Sequence, residues 1–249
     1  DTKFIAITGS SGKTTLKEIL SLMLSSIGNS YATQRNYNNE IGVPKTLLSI
    51  KGDDNYAVLE LGARSVGDIR PLVRISIPDV AVITGVGSSH LGQFGSIENI
   101  YKTKLEIIKD SGGGNLKIGP SDDPKISNVI KSYPNHLTVG THKDANIRIK
   151  CFNSSSDGMT ISYSINGEEY VVRLPIYHLA LPINVGFAIA VCFGLGLDIN
   201  TLIKPLLKFK GLEGRYHRVD INNKIIIDDA YNANPESMRI GLRSFKKAY

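Results

Sequence analysis

The sequence predicts an α/β fold, with a mainly parallel sheet flanked by helices and a small antiparallel patch. Three observations carry that expectation. Short apolar runs at 3–8, 56–61 and 79–84 read as buried strands. Stretches with helical apolar spacing alternate with them, and such alternation belongs to parallel sheets covered on both faces. Beyond Ala145 the runs shorten and are joined by turn residues, as in antiparallel hairpins.

Taken in order, Lys3-Phe4-Ile5-Ala6-Ile7-Thr8 is the first strand, and a glycine-rich turn follows it. From Thr14 to Ser26, Leu16, Ile19, Leu20, Met23 and Leu24 fall at helical spacing. Tyr56 to Leu61 is the second strand, Val66 to Val73 a short helix and Asp79 to Thr84 the third strand. Ser96 to Lys109 reads as one helix with Ile97, Ile100, Leu105 and Ile108 on or near one face. Asn146 to Phe152, Met159 to Ser164 and Tyr170 to Leu174 form the antiparallel patch, laid against the main sheet. Its turns are Ser156-Asp157-Gly158 and Asn166-Gly167-Glu168, and the Asn-Gly pair is a hairpin signal. Helices return at Asn184 to Leu195 and Ile199 to Phe209. Gly211 to Arg215 reads as a linker, Lys224 to Asp228 as a strand and Pro235 to Lys247 as a helix. The expected division is a main domain over 1–213, then a linker and the start of a further domain over 214–249.

Composition narrows the class. Hydrophobic residues make up 41% and charged residues 21% of the 249, so a sizeable core is expected and wholesale disorder is not. The net charge of +6 is mild and spread along the chain, and no Lys/Arg-rich run marks a nucleic-acid tail. No nucleic-acid partner is expected. Cys151 and Cys192 have no metal-ligand spacing and sit among apolar neighbours, as in a reducing cytoplasm. No signal peptide opens the chain and no apolar run is long enough to cross a bilayer. A cytoplasmic protein without membrane insertion is the expectation, as a monomer.

Chemistry concentrates at strand ends. Gly9-Ser10-Ser11-Gly12-Lys13-Thr14-Thr15 joins the first strand to the first helix. Glycines let the backbone fold tightly around a phosphate, and the helix N-terminus favours an anion. Lys13 can reach the outer phosphates, and the Thr14 hydroxyl can join a Mg²⁺ shell. The loop is a short variant of the P-loop; a plain glycine-rich turn with a surface lysine is the other reading. Glu60 lies near the end of the second strand, where a carboxylate is costly to bury unless it is paired or binds a cation. It is a metal ligand or one half of an ion pair. His90 follows the third strand and is a site residue or a loop histidine. In a parallel sheet the carboxyl ends of the strands share one edge, so the loop, Glu60 and His90 should converge.

At these residues the chain resembles the central domain of the Mur ligase family. The matching stretches are Thr8 to Thr15, Glu60-Leu61-Gly62-Ala63 and Val86-Gly87-Ser88-Ser89-His90-Leu91. Asn38-Asn39-Glu40-Ile41-Gly42-Val43-Pro44 and Asp228-Asp229-Ala230-Tyr231-Asn232-Ala233-Asn234-Pro235 narrow it to one branch. That branch adds D-alanyl-D-alanine to UDP-N-acetylmuramoyl-tripeptide in peptidoglycan precursor synthesis. The resemblance implies ATP and Mg²⁺ as cofactors, and a carboxylate activated as an acyl phosphate before the amine attacks it. It implies that Gly9, Ser10, Ser11, Gly12, Lys13, Thr14 and Thr15 hold the phosphates, with Asn184 on adenine, Arg215 on phosphate and Asp229 on ribose. Thr14 and Glu60 would ligate one Mg²⁺ and His90 a second, helped by a carbamylated lysine that aligns with Lys104. Lys13, Lys104 and His90 would be the catalytic set, and Asn36, Asn38 and Asn39 would face the muramoyl substrate.

The sequence departs from the family at Arg35 (usually glycine), Gly85 (usually asparagine), Pro120 (usually asparagine) and Ala180 (usually histidine). His178 lies close to Ala180 but out of register. Family members carry a further domain on each side of the central one. Residue 1 enters directly on the first strand, so this chain alone is expected to bind more than it catalyses. Two other readings stand beside the ligase. One is a folylpolyglutamate synthetase-like enzyme, against which the Tyr-Asn-Ala-Asn-Pro stretch argues. The other is a nucleotide-binding module without ligase activity.

Overall fold

The computed structural model describes residues 2–155, 158–222 and 224–248. A nine-stranded sheet forms its centre. The strands are β1 (Lys3–Thr8), β2 (Ser30–Ala32), β3 (Tyr56–Glu60), β4 (Val80–Ile83), β5 (Leu116–Pro120), β6 (His136–Gly140), β7 (Ile147–Ser155), β8 (Gly158–Ile165) and β9 (Glu168–Leu174). Their order across the sheet is β2-β3-β1-β4-β5-β6-β7-β8-β9. Every pairing from β2 to β7 is parallel, and those of β7 with β8 and β8 with β9 are antiparallel. The predicted strands at 3–8, 56–61 and 79–84 are neighbours in one parallel sheet, as expected. The antiparallel patch joins that sheet edge to edge, through β6 and β7, rather than lying on its face. Ser156 and Asp157 of the predicted turn lie outside the described residues.

Alternation within each strand sends side chains to two separate cores. Ile5, Ile7, Val58, Val80 and Val82 face α1 (Lys13–Leu24) and α8 (Leu181–Gly194). Ala6, Leu59, Ala81 and Ile83 face the other side. There they meet α2 (Gly42–Leu48), α3 (Ile69–Ser76), α6 (Glu106–Asp110) and α7 (Pro124–Lys131). Helix α8 is buried almost all round, from Leu181 to Cys192, because it packs on β5, β6 and β7 and is flanked by α1 and α9 (Ile199–Leu202). Among the described residues, no helix is long and apolar enough to cross a membrane.

Several elements differ from expectation. The short helix after β3 runs Ile69–Ser76, because Asp68 spends its carboxylate on the N–H groups of Arg64 and Ser65 and holds a turn there. The predicted helix 96–109 splits at Leu105 into α5 (Ile97–Lys104) and α6, and a short α4 (Leu91–Phe94) precedes it. The helix at 199–209 is the short α9 followed by a 3-10 turn, Lys204–Lys208, opened by Pro205. Strands β2, β5 and β6 and helices α2 and α7 had no sequence-based expectation. In β5 a lysine interrupts the apolar run, yet Lys117 is fully buried, its ammonium held by Ser111 Oγ and the Gly112 carbonyl.

The last segment forms a hairpin, β10 (His217–Ile221) with β11 (Lys224–Asp228), and α10 (Pro235–Ala248). It folds back on the main body. Ser244 Oγ accepts the Leu179 N–H at 2.9 Å, and Asn234 Nδ2 donates to Ser89 Oγ at 3.2 Å.

Candidate nucleotide and metal site

Strand order makes the site. From β1 the chain passes to β2 and back to β3 on one side and later to β4 on the other, so a crevice opens beyond the carboxyl end of β1. The loop after β1 fills it. Gly9 has φ 151° and Gly12 φ 83°, values that side chains rarely adopt. A Cβ on Gly9 would stand 2.0 Å from Thr84 Oγ1, and one on Gly12 would stand 2.7 Å from Asn184 Oδ1. The Ser10 N–H is spent on the Gly85 carbonyl, and the first helical bond of α1 runs from Leu16 N to Gly12 O. The N–H groups of Ser11 to Thr15 precede that bond and meet no acceptor among the described residues. They form a donor cradle at a helix N-terminus, the arrangement that suits a phosphate.

Lys13 folds back over the loop, its ammonium donating to Gly9 O at 2.8 Å. Burial lowers its pKa; the Glu60 carboxylate opposes this, and Arg215 adds to it. Glu60 is 3% exposed. Its two oxygens accept from neutral donors, the Thr14 hydroxyl at 2.9 Å and the Asn38 amide at 2.9 Å. Among the described residues it has no ion pair. A buried carboxylate touched only by neutral groups fits a hard cation, so these residues suit magnesium. Thr14 and Glu60 are the pair that would hold it.

The second half of the site comes from β4 and the α4–α5 region. His90 sits at φ 63° as the residue before α4, with its ring exposed. Burial lowers its pKa, followed by the charges of Lys13, Lys104 and Arg64, while a bond to Gln93 opposes them. The neutral imidazole that results is the form that binds metals. Lys104 is 4% exposed and makes no hydrogen bond or ion pair among the described residues. Burial and then the Lys13 charge push its amine down to about 7, against the pull of Asp68, Glu106 and Glu60. The break at Leu105 matters here. It turns both Lys104 and Glu106 inward, and Glu106 caps α3 through the N–H groups of Gly67 and Arg70. Among the described residues, no three His, Cys, Asp or Glu side chains gather into a ligand set. Any metal shell here needs a hydroxyl, a lysine derivative or phosphate oxygens.

The remaining predicted residues divide. Asn184 is buried against Gly12, and its amide donates to Ala180 O at 2.8 Å. Arg215 stacks over Tyr231 at 4.2 Å, close enough for its charge to act on Lys13. Asp229 accepts the Tyr216 N–H at 3.1 Å, and burial raises its pKa. Of the three asparagines, only Asn38 reaches the site. Asn39 Oδ1 accepts the Gly42 N–H at the start of α2, and Asn36 is exposed. Of the expected departures, Arg35 has a left-handed φ of 50°. Ala180 directly precedes α8, and the His178 ring packs on Tyr216 at 4.5 Å. Sequence reasoning missed Thr33, Lys17 and Thr84. Thr84 Oγ1 donates to Ser11 O at 2.6 Å and braces the loop. Only its place at a strand end beside Gly85 could have signalled it.

A P-loop at the switch point of such a sheet, with a buried glutamate beside it, defines a class. The Mur ligase middle domain matches residues 7–192, and the chain belongs to the Mur ligase family. Within it, the chain is 34% identical over 244 residues to the UDP-N-acetylmuramoyl-tripeptide--D-alanyl-D-alanine ligase of Bacillus subtilis, covering 97% of the chain and 52% of that relative. A MurF ligase from Thermotoga maritima, crystallised in complex with ADP, superposes with a TM-score of 0.92 at 31% identity. That match covers 99% of this chain and 57% of that one. The chain thus spans about half the length of the curated relatives it matches. An L. casei FPGS mutant shares the fold alone, at a TM-score of 0.77 and 13% identity over 100% of the chain and 72% of its own.

Proposed function

We propose that this chain is the ATP-binding part of a ligase that joins D-alanyl-D-alanine to UDP-N-acetylmuramoyl-tripeptide through an acyl phosphate. One observation carries the reading: the phosphate cradle, the buried Glu60 carboxylate and the buried Lys104 amine meet at one sheet edge. The relatives' substrates supply its finer content, and residues 214–249 act as a linker and the start of a closing domain.

The residues divide the work. The loop N–H groups bind the phosphates, and Lys13 moves from Gly9 O to the outer phosphate as it arrives. Thr14 and Glu60 would hold one magnesium, and His90 with a carbamate on Lys104 would hold a second. The chemistry such cations would supply there is neutralisation of charge on a transferring phosphoryl group. Asn184 meets the base, Arg215 the phosphates, Asp229 the ribose and Asn38 the muramoyl side. A Lys104 amine pushed down to about 7 is substantially neutral near pH 7, and the neutral amine is the form that takes up carbon dioxide.

Calorimetric titration with ADP and magnesium tests the binding half. Lys13→Ala should weaken binding about 30-fold, the worth of a charge-assisted hydrogen bond. Equal affinity in the two proteins would remove the P-loop reading. Phosphate release from ATP that depends on D-alanyl-D-alanine tests ligation, with the flanking domains of the Bacillus relative fused in frame. Magnesium-dependent ADP binding without such release would favour the binding-module reading.

A further inference from the structure

At Glu60 a side-chain hydroxyl replaces the carbonyl that the sheet ladder would use. Were the β2–β3 ladder to continue regularly past the bond from Thr33 N to Val58 O, the Glu60 N–H would donate to the Thr33 carbonyl. It donates instead to the Thr33 hydroxyl, at 3.0 Å. The carbonyl so released is taken by the Lys17 ammonium, at 2.5 Å. Lys17 is 1% exposed and Thr33 1% exposed, so neither group has water as an alternative. Lys17 stands one helical turn after Lys13 on α1, and its charge is balanced by Glu18 at 2.8 Å. Thr33 is also the root of the loop that brings Asn38 to the Glu60 carboxylate.

We propose that Lys17 and Thr33 are positioning residues for the metal site. They set where the Glu60 carboxylate points by holding its backbone and the root of the Asn38 loop, and they touch no ligand themselves. A buried lysine on the phosphate-binding helix thereby couples that helix to the cation ligand on the neighbouring strand. The inference rests on the magnesium–nucleotide reading of the site. Without Lys17 the Thr33 carbonyl is buried without a partner. It would draw the Glu60 N–H back into the regular ladder and shift the carboxylate.

The test separates the cation from the nucleotide. ADP affinity is measured by calorimetry with excess EDTA and again with magnesium, and Mn²⁺ binding in the presence of ADP is followed by electron paramagnetic resonance. The near-isosteric variants Thr33→Val and Lys17→Met should each raise the Mn²⁺ midpoint about tenfold. They should leave ADP affinity in EDTA within twofold, which also reports that the loop is folded. Thr33→Ser, which keeps the hydroxyl, should match the wild type. Wild-type Mn²⁺ midpoints in both variants would overturn the proposal while sparing the reading beneath it. An equal loss with and without the metal would overturn it too, by making the role merely structural. If Lys17→Met does not fold, Thr33→Val against Thr33→Ser decides. A wild type with no metal-dependent ADP binding would remove the site reading and this inference with it.

Discussion

Lys104 and His178 both bury a base, with different consequences. Lys104 is a nearly inaccessible amine with no hydrogen bond or ion pair among the described residues, so its ammonium form is disfavoured and a carbamate would gain a role beside His90. In the ligase with flanking domains, Lys104→Ala should lower ligation about 100-fold, and acetate or formate should restore part of it. Undiminished turnover in Lys104→Ala would reject the assignment. His178 lies against Tyr216, and burial lowers its pKa from 6.5 to about 4. The folded state therefore keeps it neutral, while the unfolded chain takes up a proton as pH falls below 6.5. Stability from this residue is full above that pH and drains away toward pH 4. His178→Asn keeps an acceptor for the Ala180 N–H, which His178 Nδ1 now serves at 3.3 Å. Its unfolding free energy should lose about 1–3 kcal/mol less than wild type between pH 6.5 and 4 in chemical denaturation. Parallel losses would show that the histidine does not titrate in the fold.

Elements were legible where apolar period and punctuation agreed. β1, β3 and β4 are short, buried on both faces and bounded by glycine, so each stood out. β2 did not, because Ser30-Tyr31-Ala32 is an edge of three half-buried residues with no apolar run. β5 hides behind Lys117, and α2 opens on glycine and proline, which read as loop. The single helix read over 96–109 was wrong because apolar spacing continues through Leu105 while the hydrogen bonds do not. The P-loop, Glu60 and His90 could be read from motif and strand position. Lys17 and Thr33 could not, since a helical lysine and a strand-end threonine have ordinary solvated readings. Helix α3 ends on a strained residue. Ile77 caps it at φ 40° and is 72% exposed, with its N–H on Val73 O. A β-branched residue there carries about 1–2 kcal/mol of strain, and glycine would give back roughly half through its own entropy. Ile77→Gly should therefore stabilise the protein by about 1 kcal/mol in urea unfolding; a lower midpoint would contradict this.

Across the whole molecule, two kinds of sheet share one set of hydrogen bonds. In the antiparallel half β8 pairs with the strands just before and just after it in sequence. In the parallel half the partners are remote: Lys3 lies beside Tyr56, and Ile5 beside Val80. That contrast sets a timetable for assembly. A contact between remote segments must first close a long loop, and it forms slowly for that reason, whereas neighbouring strands zip within microseconds. The hairpins β7-β8-β9 should gain amide protection early in pulse-labelled hydrogen exchange, and β1 and β3 late. Simultaneous protection of both halves would refute this order. The cradle and Glu60 come together only once β1 lies between β3 and β4, so the chain is without the proposed nucleotide site until the last stage of folding. A ligand added during refolding can then act only on the final step, and would slow unfolding more than it speeds folding.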